Sequence, residues 1–128
     1  MTIRKSDERA SLRREMMRVS EKLCGKDDLS ALGLALRAFL PTMHHAFVLR
    51  CVPEQAEDIY WLLVSPTEIV KAEIPRDLAS DEKPVMLLMD VNEFRRNRPS
   101  RQTRERLALA LELAKASGSN PAATASRM

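Results

Sequence analysis

Apolar residues near the start of the chain recur at helical spacing. They are separated by four, three and four positions, which places them on one face of a helix: Leu12, Met16, Val19 and Leu23. Ser6 is the expected N-cap, since its hydroxyl can accept a hydrogen bond from a free backbone N–H of the first turn. Gly25 is the expected end, because glycine tolerates the left-handed conformation that often follows a helix. The pattern predicts a first helix between these two residues.

A second helix is expected directly afterwards. Asp27 or Asp28 is the expected cap, and Pro41 is the expected stop because proline cannot continue a helix. The expected buried stripe consists of Leu29, Leu32, Leu36 and Phe39 or Leu40. The chain is therefore predicted to open with a helical hairpin.

The middle of the chain changes to strand-like composition. Segments 47–52, 59–64 and 69–74 are rich in β-branched, aromatic and aliphatic residues, and proline-containing connections separate them. They predict an antiparallel meander. Lys71 and Glu73 alternate with apolar neighbours in the third strand, so one of its faces should be wet, whereas the second strand lacks alternation and should be central and covered on both faces.

The run 85–89 is apolar and is either a fourth strand or the first turns of a helix; its length favours a strand. Asp90 should then cap a short helix over 91–97, which Pro99 interrupts. Ser100 should cap the last helix.

The fold class that follows is α+β: an N-terminal helical hairpin, a three- to four-stranded antiparallel meander, a short helix and a C-terminal helix. With 128 residues, the chain has the usual size of one domain. We expect a single domain over 1–116 and a disordered polar tail over 117–128, where the residues are small and polar.

Several classes of protein are excluded by what the chain lacks. Its longest strongly apolar stretches run five or six residues, whereas a membrane span needs about 20. No apolar segment follows the charged N-terminus, so a secretory signal is not expected and the expected location is the cytoplasm. The two cysteines, Cys24 and Cys51, are expected to be reduced and to pack as small core side chains.

No catalytic or metal-binding motif is found. Three glycines in the whole chain cannot supply a glycine-rich phosphate loop. His44 and His45 are the only histidines, and with Cys51 nearby they still lack the further ligands of a zinc site. The paired carboxylates fall at turns or helix starts, where acids are expected for capping: Asp27–Asp28, Glu57–Asp58 and Asp81–Glu82. We therefore expect no enzyme, no cofactor, no metal and no small-molecule substrate.

Charge is distributed unevenly along the chain, although its net value is only +3. Residues 1–26 carry eight basic and four acidic side chains, a net +4. Residues 27–94 carry five and twelve, a net −7, and residues 95–106 carry six and one, a net +5. Such segregation suggests either charge pairing, within one chain or between chains, or a basic face for an anionic partner.

The segment 95–106 is the candidate binding site. All six of its basic residues are arginine, which favours bidentate contacts to phosphate or carboxylate. Arg101 and Arg104 are three apart at the head of the last helix, so they should project to similar sides, close to the free amides of that helix. The predicted anion- or partner-binding residues are Arg95, Arg96, Arg98, Ser100, Arg101 and Arg104. A secondary basic face is predicted on the first helix, with Arg9, Arg13, Arg14 and Arg18.

Two functions remain open on these grounds. The first is a small non-enzymatic regulatory or adaptor protein that acts through protein–protein contacts and can self-associate, since opposite charge blocks can pair between two copies. The second is a DNA- or RNA-binding protein that uses the Arg95–Arg106 segment. The sequence leaves open whether that segment meets nucleic acid, a protein partner or the acidic part of the same chain.

Overall fold

The computed structural model describes residues 5–77 and 81–118. It confirms the expected α+β class, with helices at both ends and a four-stranded antiparallel sheet between them. In chain order the elements are α1 (Lys5–Cys24), α2 (Ala31–Phe39), β1 (Phe47–Pro53), β2 (Glu57–Leu63), β3 (Glu68–Pro75), β4 (Val85–Asp90), α3 (Val91–Arg96) and α4 (Arg101–Gly118).

The sheet is a meander in which neighbours in sequence are neighbours in space, in the order β1-β2-β3-β4. Its register places Leu62 opposite Val70 and Leu63 opposite Ile69. The ladder between β1 and β2 is irregular between Val48 and Arg50. Strands β1 and β4 are therefore the two edges of the sheet.

The core lies on both faces of the sheet because successive side chains of a strand point in opposite directions. Leu63 belongs to a cluster that includes Met16 of α1, Phe94 of α3 and the buried leucines of α4. Leu62 belongs to a cluster on the other face with Leu23 of α1 and the buried leucines of α2. Strand β2 is thus central, as expected, but only Leu62 and Leu63 at its end are buried, and the rest of the strand is partly exposed.

The ambiguous run 85–89 is a strand. It pairs with β3, Leu87 lying opposite Lys71 and Leu88 opposite Val70. In so short an apolar run, periodicity cannot distinguish a strand from a buried helix. The run forms a strand here because β3 has a free edge with which it can pair.

Two of the expected helix caps are wrong, Ser6 for α1 and Asp27 or Asp28 for α2. Helix α1 already includes Lys5 and Ser6, so Ser6 is not its cap. Gly25 does follow the last helical residue, but its φ is not positive, and its N–H instead donates to the carbonyl of Lys22 at 3.1 Å. The end of α1 closes as a tight turn that does not need a left-handed residue.

The cap of α2 is Ser30 rather than Asp27 or Asp28. The Ser30 hydroxyl accepts from the N–H of Gly33 at 3.1 Å and donates to the Asp28 carboxylate at 2.9 Å. A Cβ at Gly33 would collide with that carboxylate, so any larger residue here would have to displace the Asp28 side chain from the cap. Asp28 therefore supports the cap without forming it.

The expected stripe of α2 is only partly buried. Leu32 and Leu36 are in the core, whereas Leu29 is 76% exposed and Phe39 is 38% exposed. The helix ends at Phe39, two residues before Pro41.

Helix α4 continues through Ser117 and Gly118, two residues past the boundary expected at 116, and the rest of the predicted tail lies outside the described residues. Among the described helices, none combines the length and the apolar character that a membrane crossing requires.

Candidate functional site

The corner between α3 and α4 is formed by helix caps that the sequence predicts. The Asp90 carboxylate caps α3 and accepts from the N–H of Asn92 at 2.7 Å. The Ser100 hydroxyl caps α4 and accepts from the N–H of Thr103 at 3.2 Å. Between the helices Arg98 adopts a left-handed conformation with φ of 51°, directly before Pro99. Both caps agree with the sequence prediction, and the unusual backbone at Arg98 reverses the chain between them.

This corner forms a pocket of about 660 Å³. It brings together five of the six residues predicted as a binding site and leaves out Arg96. The lining consists of Arg95, Arg98, Pro99, Ser100, Arg101, Arg104, Leu107 and Ala108. We call this concavity the arginine pocket; no acidic side chain and no aromatic side chain lines it.

The six arginines of the segment have different surroundings. Arg101 forms an ion pair with Glu105 at 3.4 Å, in which the two side chains are 78% and 62% exposed. Arg106 donates from Nε and Nη2 to the backbone carbonyl of Val48 at 3.0 and 2.9 Å. Arg106 therefore has a structural role on β1, which sequence reasoning missed because the contact depends on tertiary packing.

The predicted secondary basic face on α1 divides into two pairs. Arg9 and Arg13 both form ion pairs with Glu112 of α4, the second at 3.6 Å. Arg14 and Arg18 are exposed, and neither has an ion pair among the described residues. Half of this face is thus paired at the surface with α4, and half is unpaired within the described part of the chain.

The acidic middle of the chain does not neutralise the arginine segment within the described residues. Two ion pairs lie within the middle, Lys71 with Glu73 and Arg76 with Asp58, and no ion pair between described residues joins the middle to the arginine segment. Arg101 pairs with a residue of its own segment. Charge pairing within one chain accordingly leaves most of the arginine pocket open to a partner.

A second and larger concavity of about 1020 Å³ lies between α1, β1 and the start of α4. Its charged lining is mixed, since Glu8 and Glu105 lie beside Arg9, Arg50, Arg101 and Arg106. This concavity therefore lacks the uniform positive charge of the arginine pocket.

The exposure of the apolar edge strand β4 was not predicted from the sequence. Val85, Leu87 and Leu88 are 46%, 50% and 46% exposed. Leu87 and Leu88 point to opposite faces of the sheet, so the strand is open on both. Among the described residues, hydrogen bonds to the backbone of β4 come from β3 alone. We call this surface the β4 edge.

A row of side chains leads from the β4 edge across one face of the sheet. Register places Arg50, Trp61, Lys71 and Leu87 side by side on four successive strands. The Arg50 guanidinium lies 5.4 Å and the Lys71 ammonium 5.7 Å from the centre of the Trp61 ring. Such cation–π contacts hold charged groups over an aromatic face and leave Leu87 as the uncovered apolar end of the row.

The two thiols lie on different elements, Cys24 at the end of α1 and Cys51 on β1. Cys24 is partly buried and Cys51 is exposed, so the core position expected for Cys51 is wrong. Burial, with the Asp58 carboxylate as a further cause, raises the pKa of the Cys51 thiol, and burial also raises that of Cys24. Burial lowers the pKa of His45. No group of three potential metal ligands occurs among the described residues.

Comparisons of the chain with protein-family models, with curated proteins and with solved structures found no match. Proposals about function therefore rest on the arginine pocket and the β4 edge.

Proposed function

We propose that the protein is a non-enzymatic interaction module that acts through protein–protein contacts and pairs with a second copy of itself along β4. The observation that carries this proposal is the β4 edge, a strand whose outer backbone groups are unpaired within the described residues and whose side chains are half exposed on both faces. An edge of this kind is a template for a further strand.

The composition of β4 lacks the usual protection of a free edge. Proteins commonly prevent two such edges from pairing by placing a lysine, a proline or a bulge within the strand. Residues 85–89 contain no charge and no proline, and the ladder between β3 and β4 is regular. Pro84 and Asp90 flank this apolar stretch and so mark its length.

A second copy fits this edge because the strand is self-complementary. An antiparallel pairing about a two-fold axis at Leu87 places Leu87 opposite its own copy and Val85 opposite Met89. Met86 then lies opposite Leu88, and every apolar side chain meets an apolar one on the same face of the sheet. Asp90 falls opposite Pro84, so no like charges meet within the paired stretch.

The other edge of the sheet is less available for the same contact. The Val48 carbonyl on β1 accepts two hydrogen bonds from Arg106. The Ser20 hydroxyl accepts from the N–H of Ala46 at 2.9 Å, directly before β1 begins. The irregular register between Val48 and Arg50 disturbs the strand further. Of the two edges, β4 therefore offers the longer continuous template.

The proposal is tested by sedimentation velocity on the full chain from about 1 µM to about 1 mM, a range that corresponds to binding free energies of about −8 to −4 kcal/mol. We expect a monomer–dimer equilibrium within this range. Amide hydrogen exchange at both ends of the range should show slower exchange in 85–89 at high concentration. A monomer at every concentration, or a dimer without protection at β4, would contradict the proposal.

A different interface would arise if the charge blocks, rather than β4, joined two copies. The double variant Arg101→Glu with Arg104→Glu reverses the charge of the arginine pocket and leaves β4 unchanged. Pairing along β4 predicts that this variant dimerises as the natural chain does. Its dissociation would show that charge pairing holds the two copies together.

A further inference from the structure

We propose that the arginine pocket binds the phosphodiester backbone of double-stranded nucleic acid, through Arg95, Arg98, Arg101 and Arg104. These four residues follow one another at intervals of three, although α3 ends between Arg95 and Arg98 and Arg98 itself is left-handed. The fold nevertheless collects them around one pocket of about 660 Å³. This site is separate from the β4 edge, and the inference does not depend on self-association.

The residues around the pocket indicate that its ligand is negatively charged. No acidic residue lies in the first turn of α4, whereas α1 has Asp7 and Glu8 in its first turn and α3 has Glu93. Cations at a helix N-terminus oppose the helix dipole. An anion placed among these arginines removes that opposition and also meets the free amides at the start of α4.

Three of the four guanidinium groups are available to a ligand. Among the described residues, the side chains of Arg95, Arg98 and Arg104 have neither an ion pair nor a hydrogen bond. Arg101 has only its exposed pair with Glu105, and exposed pairs of this kind contribute little. A phosphate can therefore replace Glu105 at Arg101 without disturbing the fold.

The class of ligand follows from the kind of side chain present. Arginine offers a planar fork of donors that matches the oxygen atoms of phosphate, and the pocket contains arginine without lysine. Single strands are held largely by stacking of bases on aromatic rings, and no aromatic side chain lines the pocket. Backbone contact of this type positions a duplex without reading its sequence. We therefore assign the pocket to a duplex backbone, of either DNA or RNA.

The test uses fluorescence anisotropy of the full chain with labelled mixed-sequence duplexes of DNA and of RNA. Neutralising three or four phosphates predicts a slope of about −2.7 to −3.6 in a plot of log affinity against log salt, or roughly 40- to 150-fold weaker binding between about 50 and 200 mM salt. Comparison of the two duplexes shows which backbone is preferred, and binding of either supports the inference.

Variants locate the contact. Arg104→Gln should reduce the steepness of the salt slope by about 1, whereas the control Arg14→Gln, which removes an exposed arginine of α1 outside the pocket, should reduce it much less. Arg98→Gly should also weaken binding, and it replaces a residue at positive φ by the one that favours this conformation. Its melting temperature should therefore not fall, so that its loss of binding cannot be attributed to unfolding.

Three outcomes would overturn the inference. One is the absence of duplex binding at about 50 mM salt, where backbone contacts are strong. Another is equal weakening by Arg14→Gln and Arg104→Gln, which would indicate a diffuse charge effect. The third is tighter binding of single strands or of polyglutamate than of either duplex, which would assign the pocket to another ligand.

Discussion

Leu87→Lys is the most direct perturbation of the proposed interaction. Leu87 is 50% exposed, and in the proposed pairing it lies opposite its own copy. Lysine keeps a long aliphatic stem that suits a half-exposed strand position, and repulsion from Lys71, which lies opposite on β3, should cost the monomer no more than about 1 kcal/mol. The substitution therefore tests the contact between copies and leaves the fold intact.

The expected magnitude follows from the exposed fraction. Full burial of a leucine side chain contributes about 1.5–3 kcal/mol, so burying the remaining half contributes about 1 kcal/mol per copy and about 2 kcal/mol per dimer. Like charges placed directly opposite on neighbouring strands add up to about 1 kcal/mol. A loss of about 2–3 kcal/mol corresponds to roughly 30- to 150-fold weaker dimerisation.

The matched control is Leu34→Lys. Leu34 is 48% exposed, nearly the same fraction as Leu87, but it lies on α2. Sedimentation at matched concentrations should show a weakened dimer for Leu87→Lys and an unchanged dimer for Leu34→Lys. Equal dissociation constants for the natural chain and Leu87→Lys would refute the reasoning, as would an equal effect of both variants.

Three further predictions concern single residues, two of them affecting stability and one affecting the reactivity of a thiol. Arg98→Gly should stabilise the chain by about 0.5–1 kcal/mol, which urea unfolding would measure. Glycine removes the steric strain of a left-handed arginine, and the greater entropy of glycine in the unfolded chain cancels part of this gain. Destabilisation would show that the contacts of the arginine side chain matter more than the strain at its φ. Arg106→Leu should destabilise by about 1–3 kcal/mol, because it removes both hydrogen bonds to the Val48 carbonyl, and no loss in urea unfolding would mean that water replaces them. Asp58→Asn should lower the pKa of the Cys51 thiol and so speed its alkylation near neutral pH. Both burial and the negative charge of Asp58 raise that pKa, and the substitution removes the charge. An unchanged pH profile of alkylation would leave burial as the sole cause.

Much of the fold could be predicted because its elements have strong local signals. The change from helical spacing to β-branched runs located two helices and the meander. Asp90 and Ser100 were identifiable as caps because each precedes a helix with little local competition. The expected cap of α2 was wrong because neighbouring polar residues compete: Asp28 contacts the Ser30 hydroxyl, and Ser30, nearer the helix, is the residue that caps it.

The arginine pocket was only half predictable. The spacing of Arg101 and Arg104 indicated a shared side of α4, and Ser100 indicated the helix start. The convergence of Arg95 and Arg98 on the same pocket depends on the left-handed backbone at Arg98, which no sequence pattern indicates for an arginine. Arg106 lies in the same segment but contacts β1, where it donates to the Val48 carbonyl beside the irregular part of the strand.

The β4 edge could not be predicted because exposure of a strand depends on what packs beside it. Five apolar residues in succession are equally suited to an interior strand. The available signal was the absence of any charge over 85–89. That absence becomes informative only when the strand order places β4 at an edge.

The hydrogen bonds from Arg106 to the Val48 carbonyl have a consequence for the size of any assembly. A sheet with two open edges can add copies without limit and grow into a fibre. Here one edge is obstructed by a side chain of the same chain, so a copy that joins at β4 presents only obstructed strands to the outside. Assembly should therefore stop at two copies, and removal of Arg106 would take away one of the features of β1 that oppose further addition.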